Sequence, residues 1–350
     1  MYRFAEHWFR QLLAASPIVS VTGPRQSGKT TLARWMAKQT GRPYLSLENL
    51  GLRALAKENP TQFLAQLKNG AILDEVQRVP ALMPHLESNL ELLPFSRSEL
   101  AREKKAPSSL ENTLLTGGYP PLFNKKTNRQ QWFADYLATF VERDLQQWLV
   151  VQNIDLFYRF VYRCARQNGQ LLHLSSLAED CGITRNTVRA WISVLEASYL
   201  VRRLPPHHAY FKKRTIKAQK LYFSDTGLLC WLLDIHTPEQ LLAHPLYNKI
   251  FEAWVISEYR KNALNNDTRS AFYFWRDTNG NQIDLIINNR SHIIPVQINP
   301  TRELNKGLFT VISRWMRRSG PMAQFPTLIY GGNLNAFRHG VNVRGWQKIR

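Results

Sequence analysis

The chain is short of acid. It has 26 Asp plus Glu against 46 Lys plus Arg, a formal net charge of +20. Such an imbalance argues against an evenly mixed surface and favours a polyanionic partner, nucleic acid first and an acidic membrane surface second. Cysteine is scarce. Cys164, Cys181 and Cys230 are odd in number, far apart, and in no C-x-x-C pair beside histidines. Nothing here suggests a disulfide frame or a zinc site, and reduced cytosolic thiols are expected. No apolar run is long enough to cross a bilayer. The start, Met1 to Glu6, lacks the apolar stretch of a signal peptide. These absences predict a cytoplasmic protein with no membrane partner. Apolar residues are not scarce, at 44% with ten Trp, so a disordered chain is excluded. A length of 350 residues exceeds one ordinary core and predicts two or three domains.

The most informative stretch is Gly23-Pro24-Arg25-Gln26-Ser27-Gly28-Lys29-Thr30, a complete G-x-x-x-x-G-K-[ST] pattern. Ile18 to Thr22 ahead of it reads as a short buried strand. Thr30 to Gln39 behind it reads as a helix, stopped by Gly41 and Pro43. Gly23 and Gly28 let backbone amides wrap close to a triphosphate. The helix N-terminus adds partial positive charge at the same place. Lys29 is expected to neutralise the β- and γ-phosphates, and Thr30 to ligate Mg²⁺. The predicted nucleotide-binding set is Gly23, Pro24, Arg25, Gln26, Ser27, Gly28, Lys29, Thr30 and Thr31, with ATP and Mg²⁺ as ligands. A chance glycine-rich turn is the competing reading, and the strand–loop–helix context speaks against it.

Residues 4 to 15 read as an amphipathic helix with Phe4, Trp8, Leu12 and Leu13 on one side. Tyr44 to Leu47 alternates like a half-buried strand, and Phe63, Leu64 and Leu67 mark a helix over 61–68. Ala71-Ile72-Leu73-Asp74-Glu75 is a small apolar strand ending in two acids. Paired with the phosphate loop, it predicts Asp74 as a Mg²⁺ ligand, direct or through water, and Glu75 as the general base on the attacking water. Alone it reads equally as a strand ending in a solvated acidic turn.

These residues, with Tyr44-Leu45-Ser46-Leu47-Glu48, Ile72 to Pro80 and Leu92 to Leu100, resemble the AAA-type ATPases that carry a C-terminal DUF4143 domain. Gly117-Gly118-Tyr119-Pro120, Asp135-Tyr136-Leu137, Val141 to Asp144, Lys213-Arg214, Lys220 to Leu228 and Phe251-Glu252 extend the likeness over nearly the whole chain. The resemblance implies a further strand after Asp-Glu, ending in Leu-Thr-Gly-Ser, and a Ser-Leu-Ala-Gly-Arg stretch. Here Ala81 to Ser88 runs almost at once into Leu90 to Phe95, so a few dozen residues are missing. Loss of an arginine finger alone costs ~10³ to 10⁵ in rate. Nucleotide binding survives such a loss more readily than fast hydrolysis does. Either Leu90–Leu93 substitutes for the missing strand, or the nucleotide domain is irregular.

Residues 97 to 112 are basic and polar and read as a linker. Trp132 to Leu149 shows helical apolar spacing that suits packing rather than a cofactor. Arg143 is open to two readings, a finger toward a neighbouring copy or a surface ion pair with Asp144 or Glu142. Leu174 to Thr184 reads as helix, tight turn, helix, with Ser176 and Glu179 as a capping box, Gly182 as the turn and Thr184 as the next cap. Val188, Trp191, Ile192 and Leu195 make one face of the second helix. Arg185, Asn186 and Arg189 make the other, open to a DNA groove. Tyr199 to Leu204 reads as a wing strand. The pattern is a winged helix, which serves DNA contact or protein–protein joints alike. Lys212, Lys213, Arg214, Lys217 and Lys220 form the densest basic cluster, a phosphate-backbone footprint or a solvated linker.

The last third shows a helix containing Glu252, a hairpin from Phe272 to Ile287, and a strand over Ile293 to Asn299. It resembles a PD-(D/E)xK nuclease core, with Glu252 and Asp284 matching metal ligands. Gln297 and Asn299 stand where an acid and a lysine belong, which predicts a nuclease shape without nuclease activity. The expected architecture is α/β: a P-loop NTPase parallel sheet, then a winged-helix unit and an α+β nuclease-like domain. The expected bounds are 1–106, a helical linker or lid over 107–150, 151–206 and 207–350. The expected function is ATP binding with weakened hydrolysis and DNA contact through Arg185, Asn186, Arg189, Lys212, Lys213 and Arg214. The alternative is an eroded, non-enzymatic DNA-binding or interaction scaffold. A homo-oligomer suits either.

Overall fold

A computed structural model describes residues 3–16, 19–67, 70–85, 88–145, 153–207, 218–266, 268, 270–289 and 291–349. The chain is mixed α/β and divides into two compact units. The first comprises residues 1–94 with 264–266, the second residues 95–263 with 267–350.

In the first unit, α1 (Ala5–Ala15) leads to β1 (Val19–Thr22), α2 (Lys29–Thr40), β2 (Tyr44–Ser46), α3 (Leu50–Glu58), α4 (Pro60–Ala65), β3 (Ile72–Asp74) and β4 (Ser88–Glu91). The helix behind the phosphate loop ends where Gly41 takes a left-handed conformation at φ 67°, as the sequence predicts. Sequence reading misses α3. Its signal is Asn49, whose side chain accepts from the Leu52 amide and caps the helix.

Each strand pairs with a parallel neighbour, β1 with β4 and β2 with β3. The segment after Asp-Glu therefore does supply a strand beside β1, at 88–91 rather than 90–93. Among the described residues no ladder joins β3 to β1, so the parallel strands form two pairs. Short 3-10 turns, Val76–Arg78 and Pro80–His85, occupy the stretch between β3 and β4. Two small cores result. Phe9, Leu32, Met36, Leu90 and Leu92 pack around β1 and β4, and Leu47, Ala56, Phe63, Val79 and Leu82 around β2 and β3.

The second unit begins with helices where a linker was predicted. Helix α5 (Arg97–Arg102) starts at a buried capping box of Ser96 and Glu99, and α6 (Leu110–Thr116) is capped by Ser109. Polar composition over 97–112 reflects caps and solvated helix faces at both ends, and the chain is irregular only over 103–109 between the two helices. Helix α7 (Arg129–Thr139) follows and continues as a π-helix over Phe140–Leu145. Trp148 lies outside the described residues.

Two sequence motifs explain each other here. Gly118 N donates to the buried Asp225 carboxylate at 2.7 Å, and so does Leu228 N at 3.0 Å. Gly117, at φ 71°, leaves room for that carboxylate, because a Cβ there would lie 2.2 Å from Asp225 Oδ1. The Gly-Gly-Tyr-Pro and Ser-Asp-Thr-Gly stretches are thus one joint, with Asp225 capping the helix Thr226–Leu232.

The helices Ile154–Arg166, Leu174–Cys181 and Arg185–Ala197 precede β5 (Val201–Leu204), which pairs antiparallel with β6 (Lys220–Phe223). Gly182 takes the left-handed turn at φ 66°, and the Thr184 hydroxyl accepts from Thr187 N at 3.1 Å, both as predicted. The Ser176–Glu179 capping box does not form. The helix starts at Leu174 behind His173, which leaves Ser176 inside it.

After the helices Pro238–Ala243 and Tyr247–Asn265, a six-stranded sheet closes the chain, the fifth and sixth of its strands in sequence lying at one edge and the first at the other. Its strands are β7 (Ala271–Arg276), β8 (Gln282–Asn288), β9 (Ile293–Asn299), β10 (Thr327–Tyr330), β11 (Ala336–Arg338) and β12 (Val341–Gly345). The β7–β8 hairpin and β9 match the sequence reading; the parallel strands β10 and β12 were not foreseen. Cys164, Cys181 and Cys230 are all buried free thiols in this unit. Among the described residues, no helix is long and apolar enough to cross a membrane.

Candidate functional site

The loop from Gly23 to Gly28 connects β1 to α2. Gly28 sits at the helix N-cap in a left-handed conformation, φ 97°, with no side chain to cap the first turn and no acid within it. The N-terminal partial charge of a twelve-residue helix is therefore not neutralised by its own residues. Gln26 also takes positive φ, at 58°, so the loop is wound rather than extended. Gly23, at φ 144°, lies under the backbone of Leu92. A Cβ at Gly23 would stand 2.1 Å from Leu92 O, and Leu92 N in turn donates to Thr22 O at 2.7 Å. The chain leaving β4 thus roofs the first glycine.

Lys29 Nζ donates to Gly23 O at 3.0 Å and to Pro24 O at 2.8 Å, folding back over the loop. Ser27 is fully buried and its hydroxyl has no partner. Thr30 and Thr31 open α2, half-buried and exposed respectively.

Sequence reasoning missed Arg3. It is buried, donating to Ser27 O at 3.1 Å and to Leu93 O at 2.5 Å. One guanidinium therefore ties the phosphate loop to the end of the roofing segment, an arrangement suited to a planar fork of donors. Nothing in the local sequence around Arg3 signals this.

Asp74 ends β3 as predicted. Its Oδ2 accepts from the Tyr44 hydroxyl and its Oδ1 from Glu75 N at 3.0 Å. Tyr44, also unforeseen, is pushed above the ordinary phenol range by burial and by the Asp74 carboxylate. Arg34, on α2, lies 5.3 Å from its ring centroid. The phosphate-loop helix, Tyr44 and Asp74 form one contiguous chain of contacts. Glu75 takes a left-handed conformation at φ 58° and accepts from Gln77 Nε2 at 2.6 Å.

In the second unit, Val188, Trp191, Ile192 and Leu195 are buried, and Arg185, Asn186 and Arg189 lie exposed on the opposite face. Arg189 Nη1 donates to Asn186 Oδ1 at 3.1 Å. Lys212, Lys213, Arg214 and Lys217 lie outside the described residues. Lys220 is a correction. It is buried rather than presented to a phosphate backbone, and its ammonium pairs with Glu252 Oε1 at 3.0 Å. A strand position facing the interior overrides the local run of basic residues.

Glu252 and Asp284 come together inside the third part of the chain. Glu252 also accepts from Lys249 Nζ at 2.6 Å and from the Tyr222 hydroxyl. Asp284 accepts from Gln297 Nε2 and Gln282 Nε2, each at 2.6 Å, and from Ile298 N at 2.9 Å. Asn299 turns its carbonyl to Thr301 N and takes no part. Burial pushes Asp284 up to about 6, with Glu252 adding to the rise. Burial also opposes ionisation of Glu252, but Lys220 and Lys249 outweigh it and hold that carboxyl below the ordinary range.

Comparison with known families divides the chain in three. Residues 15–100 match the model described as an AAA domain, residues 247–346 match DUF4143, and residues 107–239 match a second domain of unknown function, DUF8612. Uncharacterized proteins of Mycobacterium tuberculosis and Mycobacterium bovis are each 28% identical over 309 residues, covering 79% of this chain and 69% of the relative.

Proposed function

Because the chain joins an AAA domain to a C-terminal DUF4143 domain, we propose that it binds ATP·Mg²⁺ on the first unit and uses the second to contact nucleic acid. One observation carries the nucleotide reading. The wound loop Gly23–Gly28 leads into an uncapped, acid-free helix N-terminus with Lys29 folded against it. Such a loop presents amides and an ammonium to polyphosphate oxygens. The Thr30 hydroxyl and Asp74 carboxylate are the hard oxygen donors Mg²⁺ prefers. Each Asp74 oxygen has a single donor at present, which leaves acceptor capacity for the ion. The ion would shield the phosphate charge. Lys29 would turn from the Gly23 and Pro24 carbonyls to the β- and γ-phosphates, and Glu75 would orient and deprotonate a water.

Two measurements test this. Calorimetric titration should give one ATP site that needs Mg²⁺. Turnover should fall at least ~10²-fold in Glu75→Gln, the low end of what a general base contributes. Binding with equal, near-zero turnover in both proteins would leave a nucleotide-bound scaffold and remove hydrolysis from the reading.

The nucleic-acid reading rests on the helix pair of residues 174–197 and the antiparallel strands β5 and β6 that follow it, which we take as a winged helix. Arg185, Asn186 and Arg189 are exposed along its second helix, and Lys212, Lys213 and Arg214 follow in sequence. In the full chain, Arg185→Ala with Arg189→Ala should flatten the log–log salt dependence of duplex DNA binding by about 2. An unchanged slope with unchanged affinity would remove DNA contact from that face.

A further inference from the structure

The third part of the chain resembles a metal-dependent nuclease core, so its two buried acids raise the question of an ion. The residues do not suit one. Every oxygen of Glu252 and Asp284 already has a donor. The donors to Glu252 include two ammonium groups, and those to Asp284 are neutral amides. Gln297 turns its amide nitrogen to Asp284 and leaves its buried Oε1 without a partner, so the one spare oxygen nearby is neutral. Among the described residues no group of three or more His, Cys, Asp or Glu is placed to hold a metal.

The cationic groups of the cluster are as fully partnered as the anionic ones. Lys220 Nζ is buried, 3.0 Å from Glu252 Oε1, 3.3 Å from the Tyr222 hydroxyl and 5.1 Å from the Phe274 ring centroid. An ammonium between a carboxylate and an aromatic face is both neutralised and attracted to the ring. Lys249 approaches the second Glu252 oxygen from the more exposed side. Two lysines and two acids balance one another. A divalent ion added among them would introduce uncompensated charge beside buried groups, which is strongly unfavourable.

We propose that this is a closed ion-pair site. The Lys220 and Lys249 ammonium groups supply the positive charge that a nuclease of this shape takes from a divalent ion, and the domain neither needs nor binds one. The lysines are fixed to the chain by their own stems and cannot be chelated away. Lys220 is part of β6 and Glu252 is part of the long helix Tyr247–Asn265, so the pair also locks two elements far apart in sequence.

The test uses the full chain and thermal unfolding. The wild-type midpoint should be the same in millimolar MnCl₂ and in chelator. Lys220→Met and Glu252→Gln should each lower it by roughly 10 °C, since each strands a buried partner. The double variant should fall no further than the worse single one, because the stranded charge is gone. If Lys220→Met fails to fold, the same cycle with Lys249→Met and Glu252→Gln applies, with smaller shifts. A wild-type midpoint raised by Mn²⁺, with the rise lost in Asp284→Asn, overturns the proposal. So do losses that simply add in the double variant.

Discussion

Gly23→Ala is expected to lower affinity for ATP·Mg²⁺ by roughly 100-fold or more, about 3 kcal/mol of binding. The reason is geometric. The residue holds φ 144°, a region that side chains rarely adopt, and a Cβ would meet Leu92 O at 2.1 Å. That oxygen is backbone, part of a segment held to β1 by Leu92 N and to Arg3 by the Leu93 carbonyl. Neither side can yield cheaply, so the loop must unwind locally. Amides aimed at a polyphosphate lose their common focus. Calorimetric titration reads the loss, and circular dichroism checks that the first unit stays folded. Lys29→Met serves as the comparison, because it removes the ammonium while leaving the backbone intact. Wild-type affinity in Gly23→Ala would mean that the roofed glycine is a packing detail and that phosphate binds elsewhere.

Gly117→Ala should destabilise the second unit by about 4 kcal/mol, at the exceptional end for a single substitution. Two effects combine. A backbone at φ 71° and ψ −154° lies in a region essentially reserved for glycine and costs on the order of 1–3 kcal/mol for alanine. The added carbon would also stand 2.2 Å from Asp225 Oδ1 and 2.6 Å from Oδ2. The carboxylate would have to leave Gly118 N and Leu228 N, and it is only 4% exposed. Burial already raises the Asp225 pKa, with Lys261 and the backbone donors partly offsetting it. Stripped of donors, the group becomes a buried charge or a buried acid, and either is costly. Tryptophan-monitored unfolding should show the midpoint falling by roughly 10 °C. A shift under about 2 °C would mean that the helix capped by Asp225 moves aside freely.

The strand–loop–helix around Gly23–Thr30 and the strand ending at Asp74 were legible as structure because each rests on local sequence: two glycines, one lysine, and a short apolar run ending in acids. The helix pair was legible for the same reason, through Gly182, Thr184 and the spacing of Val188, Trp191, Ile192 and Leu195. Arg3 and Tyr44 were not, because their roles come from partners 24 to 90 residues away. Lys220 was misjudged on company: its basic neighbours suggested solvent, while its strand register turned it inward. The linker over 97–112 holds only for its middle, 103–109. Its two ends are helical and were misjudged, because capping serines and charged helix faces look like loop residues when counted without position. Separate parallel pairs in the first unit could be anticipated only as irregularity, since pairing of three- and four-residue strands depends on tertiary context.

The three buried thiols carry a practical consequence. Burial drives the Cys164 and Cys230 sulfhydryls far from ionisation, and raises Cys181 as well. A thiol without its anion barely reacts with alkylating reagents. Chemical labelling of these positions therefore times the moments when the surrounding helices part. The molecule carries its own stopwatch for transient opening, legible by mass spectrometry without any engineered probe.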